Sequence, residues 1–380
     1  MASSLEIRPV SDRKGVQDFL SVPFAIYAGD PNWIAPLFLE RNEHLDPKKN
    51  PYYLHAEAQL FVAYDAGRPV GRISAQIDKL HLDRFNDATG QFGFLEARDN
   101  PNDFAALFKA AETWLTDRGM KRVQGPFSFS INDEMGLLIA GFDRPPVIMM
   151  GHACPYYQAR IEALGYRKAK DVIAYDYDGL QPLRRSLQAM VDKVKASGEL
   201  TVRPLSKKYL DRDLPIIIKI FNDAWAENWG FVPMTNEEIA ALGKNLKFLV
   251  AEGYIAIADY QGEPAAMAVT LPDINDWVRD LNGKLLPFGW AKLAYRLFSA
   301  PPKAVRMPLM GVLRKHHGTP QGAALAMAVI DAVRSYHLAR GTKRAELSWI
   351  LEDNAPMRRL IEQLGATPYK TYRIYEKDLV

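Results

Sequence analysis

Runs of β-favouring residues alternate with polar turns and longer helical stretches along this chain. Residues 59–64 and 70–77 are two such runs flanking Asp65-Ala66-Gly67-Arg68, and 254–258 and 265–271 flank residues 259–264 in the same way. Turn residues between two β-rich runs predict a hairpin in each place. A short strand precedes each hairpin (5–9 and 200–203), with helical sequence between, and another strand follows it (92–96 and 305–313). Asn100-Pro101 and Thr319-Pro320 then open long helices. A capping side-chain oxygen accepts an orphan backbone N–H there, and proline suits the first helical position because its missing N–H is not needed. Both helices end at glycine, Gly119 and Gly341, as helix C-termini commonly do. A strand (122–124; 345–351), a shorter helix closing at Leu164-Gly165 or Leu364-Gly365, and a last strand (172–177; 372–376) complete each series.

The two series are one pattern read twice. Leu5-Glu6-Ile7-Arg8-Pro9-Val10-Ser11 returns 195 residues later as Leu200-Thr201-Val202-Arg203-Pro204-Leu205-Ser206, and Gly67-Arg68-Pro69 returns at the same offset as Gly262-Glu263-Pro264. Arg118-Gly119-Met120-Lys121-Arg122 returns as Arg340-Gly341-Thr342-Lys343-Arg344, 222 residues on, and Leu164-Gly165 returns 200 residues on. Four matches in one order imply a duplicated domain. The changing offset places about 27 extra residues before the second long helix, near 274–303, and about 22 in the first half, near 125–151. The expected organisation is an α/β chain, layered in the α+β manner, of two tandem domains (1–180 and 199–380) joined by a linker at 181–198. Each domain is expected to be a mixed twisted sheet flanked by helices.

Composition narrows the class. A 380-residue chain with 48% hydrophobic and 24% charged residues is ordinary for a globular protein with two full cores. The single cysteine, Cys154, rules out an intrachain disulfide and suits a reducing compartment. No apolar leader opens the chain and no apolar run is long enough to span a bilayer, so a cytoplasmic location is expected. A net charge of +3 and the lack of a recognisable motif give no nucleic-acid partner. Charge placement says more: residues 281–315 contain no acidic residue but include Lys284, Lys292, Arg296, Lys303, Arg306, Arg314 and Lys315, interleaved with Phe288, Trp290, Tyr295 and Phe298. If 287–299 is helical, Lys292, Arg296, Ser299 and Lys303 form one line and apolar residues cover the rest. Two readings stand: peripheral membrane contact through 284–306, and a lid packed on the protein with its basic side in water.

Candidate chemistry differs between the halves. Lys315-His316-His317-Gly318-Thr319-Pro320-Gln321-Gly322 is basic, contains glycine and opens a helix, where oriented N–H groups and the helix dipole suit an anion. The alternative is a capped helix with an incidental basic run. Its first-half counterpart, Glu96-Ala97-Arg98-Asp99-Asn100-Pro101-Asn102-Asp103, has carboxylates that would repel a pyrophosphate. The first-half insert carries Asn132-Asp133-Glu134 and closes with His152-Ala153-Cys154-Pro155-Tyr156-Tyr157. Asp133, Glu134 and His152 are candidates for an acceptor pocket, with a core histidine the alternative for His152. Glu346, Glu352 and Asp353 are candidate bases in the second half, with a turn or a helix cap the alternative for Glu352 and Asp353. Cys154 beside proline reads as a small apolar residue. Adjacent His316 and His317 lack the spacing of a zinc site, so no metal is expected.

The order of elements resembles the GNAT acyltransferase fold over nearly the whole chain, twice. The resemblance implies that the strand ending at Val312 and Leu313 leads into a loop holding the pyrophosphate of coenzyme A, formed by Lys315, His316, His317, Gly318, Gln321 and Gly322. Lys315 and Gly318 fit the family pattern; Pro320 departs from it. Asn354 matches the asparagine that opens the helix after the fifth strand. Many members carry a tyrosine acid seven residues later, where this chain has Ile361, and Ile161 in the first half. Attack by an amine also needs a base, because an alkylammonium holds its proton near neutral pH. Three segments, Asn50 to Glu57, Gly141 to Tyr157 and Glu346 to Asn354, further resemble the YghO-like group of tandem GNAT proteins, which includes bacterial ceramide synthases. That likeness implies an acyl-CoA co-substrate, with acyl carrier protein an alternative carrier. It also implies transfer of a long-chain acyl group to a lipidic amine, a sphingoid base or its 3-keto form. The oxyanion is expected at backbone N–H groups of residues 310–313, and the amine between the halves.

Overall fold

The computed structural model describes residues 5–179, 185–299 and 301–379. The first residues of the expected linker, 181–184, and residue 300 of the expected basic insert lie outside them. In order, the first half carries β1 (Glu6–Pro9), α1 (Arg13–Ile26), α2 (Phe38–Leu45), β2 (Ala56–Asp65), β3 (Arg68–Asp78), α3 (Lys79–Phe85), β4 (Thr89–Ala97), α4 (Pro101–Thr116), β5 (Arg122–Gly125), β6 (Phe127–Ser128), β7 (Glu134–Met135), β8 (Leu137–Ala140), α5 (Tyr157–Glu162) and β9 (Arg167–Asp178). The second carries α6 (Arg185–Ala196), β10 (Leu200–Pro204), α7 (Leu210–Ala224), α8 (Asn236–Leu249), β11 (Ile255–Tyr260), β12 (Glu263–Pro272), α9 (Asn275–Val278), α10 (Gly289–Ser299), β13 (Ala304–Val312), α11 (Pro320–Leu338), β14 (Arg344–Leu351), α12 (Ala355–Gln363) and β15 (Thr367–Asp378). The helices opened by Asn100 and Thr319 start where their caps predict. The Asn100 side chain accepts from Asn102 N–H and the Thr319 hydroxyl from Gly322 N–H.

Two compact units divide the chain, and neither is one continuous segment. The first comprises Met1–Val172, Asn275–Tyr295 and Lys370–Val380; the second comprises Ile173–Ile274 and Arg296–Tyr369. In the first unit the strand order is β1-β2-β3-β4-β5-β15, with β8 also on β15. The β4–β5 pair is parallel and the others are antiparallel. Its core gathers Phe19, Leu20, Leu45, Tyr52, Leu60, Val62, Phe94 and Phe129. In the second unit the order is β9-β14-β13-β12-β11-β10, again with one parallel pair, β13–β14, beside antiparallel hairpin strands. Leu325, Val329 and Val333 of α11 pack on Ala256, Ala266 and Ala268 of its sheet.

Both units contain the same two irregularities. The parallel pair separates early: β4 and β5 are in register only from Thr89–Arg122 to Gln91–Gln124, although β4 runs on to Ala97. Likewise β13 and β14 are in register from Ala304–Arg344 to Met307–Leu347, although β13 runs on to Val312. Each of these long strands also carries a bulge just past the last residue in register with its parallel partner. Ser74 faces Gly93 but Arg72 faces Glu96, so one extra residue is accommodated at Phe94-Leu95. Leu271 faces Arg306 but Val269 faces Leu309, with the extra residue at Met307-Pro308. A bulge bends its strand and re-aims the side chains that follow. Phe94 sits at φ 47, a left-handed conformation a bulky side chain adopts only when its surroundings hold it there.

Candidate active site

The first unit encloses a cavity of about 160 Å³ at the free ends of β4 and β5. Its apolar wall includes Leu20, Pro23, Phe24, Trp33, Ile34 and Phe38, and its polar side includes Arg41, Arg72, Glu96, Ser128, Glu134 and His152. The bulge places Arg72 and Glu96 opposite each other on β3 and β4. The β6–β7 hairpin, in which Ser128 faces Glu134, delivers the next pair. That hairpin can approach because residue 93 is glycine: a Cβ there would lie 1.7 Å from Phe127 O. Within the first unit, Lys370 holds the rest of the insert by donating to the carbonyls of Gly141 (2.7 Å) and Arg144 (2.6 Å).

Glu96 is the least ordinary group in the cavity. Burial pushes its carboxyl up to about 7, against the opposing pull of Arg72 and of hydrogen bonds from two tyrosines. Tyr27 and Tyr157 hydroxyls both donate to its Oε2 at 2.7 Å, and an Arg72 terminal nitrogen lies 3.7 Å from Oε1. Arg72 is buried against the Phe19 ring (4.9 Å to the centroid) and near the Phe94 ring (5.8 Å). Glu134 has the opposite fate: burial opposes its charge, but Arg41, which donates to it, holds it below the ordinary carboxylate value. The two carboxylates thus differ because their guanidinium partners stand at different distances.

His152 forms a second polar pair. Its Nε2 lies 2.8 Å from Asp30 Oδ2, and its Nδ1 is buried with no hydrogen-bond partner among the described residues. Burial lowers its pKa, with Asp30 acting against that shift, so the neutral imidazole donates from Nε2 and presents the Nδ1 lone pair. A carboxylate that fixes the tautomer of a histidine whose other nitrogen is free is the arrangement of a general base.

The candidates from the first-half insert therefore separate. Glu134 and His152 line the cavity; Asp133 is absent from its lining and accepts instead from Ser130 N–H at 3.2 Å, 3.7 Å from His44. Cys154 is half-buried and its thiol is pushed up to about 11 by burial, which keeps it protonated. Arg41, Arg72 and Glu96 also line the cavity, and sequence reading did not place them there. The available signal was a charged residue inside each apolar strand run, Val70-Gly71-Arg72-Ile73 and Phe92-Gly93-Phe94-Leu95-Glu96, because charges are rarely buried without a partner.

In the second unit the loop before α11 is compact. His317 Nε2 donates to Val312 O at 2.7 Å and the Thr319 hydroxyl donates to His316 O at 2.7 Å. Gly322 is required, because a Cβ on it would lie 2.1 Å from His316 O. The backbone N–H groups of Lys315, Gly318 and Gln321 have no acceptor among the described residues, as expected of a helix start that can receive an anion. Lys315 is exposed and pairs with Glu263 at 3.0 Å. On β13, Leu313 N–H donates to Ala265 O at 2.9 Å, so by strand alternation Val312 and Met310 direct theirs away from β12. Asn354 caps α12 by accepting from Met357 N–H at 3.2 Å. Glu346 is buried and accepts from Ser348 Oγ at 2.5 Å and from the Tyr369 hydroxyl. Glu352 stands half-buried after β14, its backbone carbonyl accepting from Arg358. Ile361 and Ile161 are both core residues. Among the described residues no group of three or more His, Cys, Asp or Glu is placed to hold a metal ion.

No family model matches the chain. It is 44% identical over 374 residues to "Protein YghO" of Escherichia coli (strain K12), covering 98% of this chain and 95% of that protein. It is 43% identical over 378 residues to "Bacterial ceramide synthase" of Caulobacter vibrioides (strain NA1000 / CB15N), covering 99% and 98%. Among solved structures, a tandem GNAT protein from the clavulanic acid biosynthesis pathway matches with a TM-score of 0.57 at 15% identity, covering 99% of both chains. A GCN5-related N-acetyltransferase from Sphaerobacter thermophilus matches with a TM-score of 0.52 at 12% identity, covering 99% of this chain and 96% of that one. These neighbours share the tandem GNAT fold with the chain, and the full-length identities make the family assignment: this chain belongs to the YghO-like group, the group of the bacterial ceramide synthase.

Proposed function

We propose that the group moved by this N-acyltransferase is a long-chain fatty acyl chain, taken from an acyl thioester and given to the amine of a sphingoid base or its 3-keto form. The observation that carries the proposal is the first unit's cavity, where an apolar wall meets the His152 imidazole, itself paired with Asp30, and a carboxyl that ionises near neutral pH. An amine with a long apolar tail needs both. The ionised Glu96 attracts the ammonium head, and His152 Nδ1 removes a proton to free the nitrogen lone pair, the resulting imidazolium being stabilised by Asp30.

The amine nitrogen then attacks the thioester carbonyl carbon. The N–H groups of Arg72 and Arg41, whose charges are offset by Glu96 and Glu134, are the proposed hydrogen-bond donors to the tetrahedral oxyanion. Collapse breaks the C–S bond, the thiolate takes up a proton, and the products are the amide, the free thiol and one proton released overall. For the donor, the N–H groups at Lys315, Gly318 and Gln321 are the proposed cradle of the coenzyme A pyrophosphate, each tested in its own right by variants of the second unit.

Purified protein incubated with palmitoyl-CoA and either sphinganine or 3-ketosphinganine should give the N-acyl product by mass spectrometry. Absence of product with both bases, while acetyl-CoA is turned over on a water-soluble amine, would replace the lipid substrate with a soluble one.

A further inference from the structure

The segment that sequence reading marked as basic and aromatic folds with its largest apolar side chains in solvent. Leu286 and Phe288 are each 78% exposed, Trp290 58%, Tyr295 74% and Phe298 86%, whereas the other large exposed apolar residues described, Leu39, Leu54, Phe85 and Tyr209, are scattered. Five such side chains within thirteen residues make a patch that isolated surface residues do not. Around α10, at about 100° per residue, Trp290, Phe298 and Tyr295 sweep an arc of about 140°, Lys292 follows about 60° beyond Tyr295, and Arg296 lies opposite the centre of the arc. Leu293, about 60° from Trp290 on the other side, anchors the helix by packing on the cluster of Ile34, Val278 and Leu281. Trp290 donates its indole N–H to Pro287 O at 3.1 Å, so the ring can leave water without orphaning a donor. Exposed Lys284 and Lys292 stand among these residues, Lys292 lying 2.8 Å from Asp280, and no acidic residue occurs between 281 and 315.

We propose that this surface docks on an anionic lipid bilayer, with the aromatic arc in the interface and the lysines at the headgroups. Charge complementarity selects this occupant, since a cationic rim around exposed aromatics fits an anionic interface. The patch is also one layer from the cavity in the first unit: Ile34 lines the cavity wall and packs on Val278 and Leu281 of the same segment, and Asn275 lines the cavity too. A lipidic amine drawn from the bilayer would therefore travel a short apolar route to His152. This last step rests on the proposed lipid substrate; the docking does not.

The test is co-sedimentation of the full chain with phosphatidylcholine vesicles prepared with and without phosphatidylglycerol. Binding should require phosphatidylglycerol, fall with salt, and drop roughly tenfold or more in the triple variant Phe288→Ser, Trp290→Ser, Phe298→Ser, whose positions are all exposed. That variant should keep wild-type turnover of substrates dissolved in detergent micelles and lose turnover of vesicle-borne amine. Equal binding of both proteins, or none by either, overturns the proposal, as does a wild-type dimer in light scattering that the triple variant abolishes without any vesicle binding. Docking with no N-acyl product in any format would instead sink the substrate assignment and leave the docking standing.

Discussion

The bulged strand occurs twice, and the side chains paired immediately beyond it differ in kind. In the first unit they are Arg72 and Glu96; in the second, Val269 and Leu309 occupy the same register positions. Beyond the bulge the strand ends differ too. Ala97 N–H donates to the Tyr157 hydroxyl, and Ala97 O accepts from that of Tyr156, while Arg98 is engaged by Asp103 and Asp65. In the second unit β13 leads instead into a loop with unused N–H groups and Gly322 packed against its own backbone. One backbone design thus supports a charged, closed strand end in one place and an apolar strand with an open, anion-ready loop in the other. The fold alone does not determine chemistry; a few side chains at one irregularity do.

The comparison is most sharply broken at the base. Removing the imidazole in His152→Ala should lower kcat by roughly 10²–10⁴-fold, with the thermal unfolding midpoint little changed. Asp30→Asn should give a smaller loss of the same kind, because the imidazole remains but loses the carboxylate that fixes its tautomer. A steady-state assay at saturating donor checks both; an active His152→Ala enzyme would move the base to another group.

Converting the first unit's pair into the second unit's tests whether those charges serve stability or chemistry. Glu96→Leu alone leaves Arg72 buried beside no carboxylate and should cost about 3–5 kcal/mol in denaturant unfolding. The double variant Arg72→Val, Glu96→Leu should recover at least half of that loss, since two apolar residues replace a buried ion pair, yet remain inactive. Recovery of stability without activity would assign the pair to chemistry.

Glu96→Gln probes the same carboxyl by pH. Its folded value, about 7, is raised above the ordinary 4.5 by burial, so the native state holds this proton more tightly than the unfolded chain. The contribution to stability is therefore complete below about pH 4.5 and is lost as pH rises through about 7. Glutamine does not titrate, so the melting temperature of Glu96→Gln relative to wild type should increase by a few degrees from about pH 5 to about pH 8. In activity, the wild-type rate should rise through about pH 7 as the carboxylate forms, and the variant should lose that limb. A flat wild-type profile with an unchanged melting difference would remove Glu96 from the mechanism.

The duplication, the hairpins and the capped long helices were legible in the sequence because each has a local cause: strand alternation, a turn, a cap followed by proline. The observed strands run up to five residues beyond the expected ones, as with β15 at Thr367–Asp378 for an expected 372–376. The cavity was less legible. Arg41, Glu96 and His152 come from distant parts of the chain, and the cavity they line depends on the bulge at Phe94 and on Gly93 admitting Phe127. Neither feature has a periodic signature, since a bulge is one extra residue in an otherwise regular run. Glu96 was read as a deterrent to pyrophosphate, which takes account of its charge but not of the burial that changes its protonation. In the second half, Lys315 drew attention for its charge, yet the unused backbone N–H groups beside it are invisible in any list of side chains.

That last point separates two substitutions in the loop. Lys315 is exposed and already paired with Glu263, and surface ion pairs contribute little. Lys315→Ala should therefore raise KM for acyl-CoA only about twofold to fivefold, and the increase should shrink at high salt. Gly322→Ala acts on geometry, because its Cβ would meet His316 O at 2.1 Å and must displace the backbone of the proposed cradle. It should raise the same KM roughly tenfold or more while leaving the pH limb set by Glu96 in place, which a general loss of folding would not do. If Lys315→Ala proved the more damaging of the two, the second unit would recognise its anion by side-chain charge, and the open backbone at the start of α11 would have only a structural role.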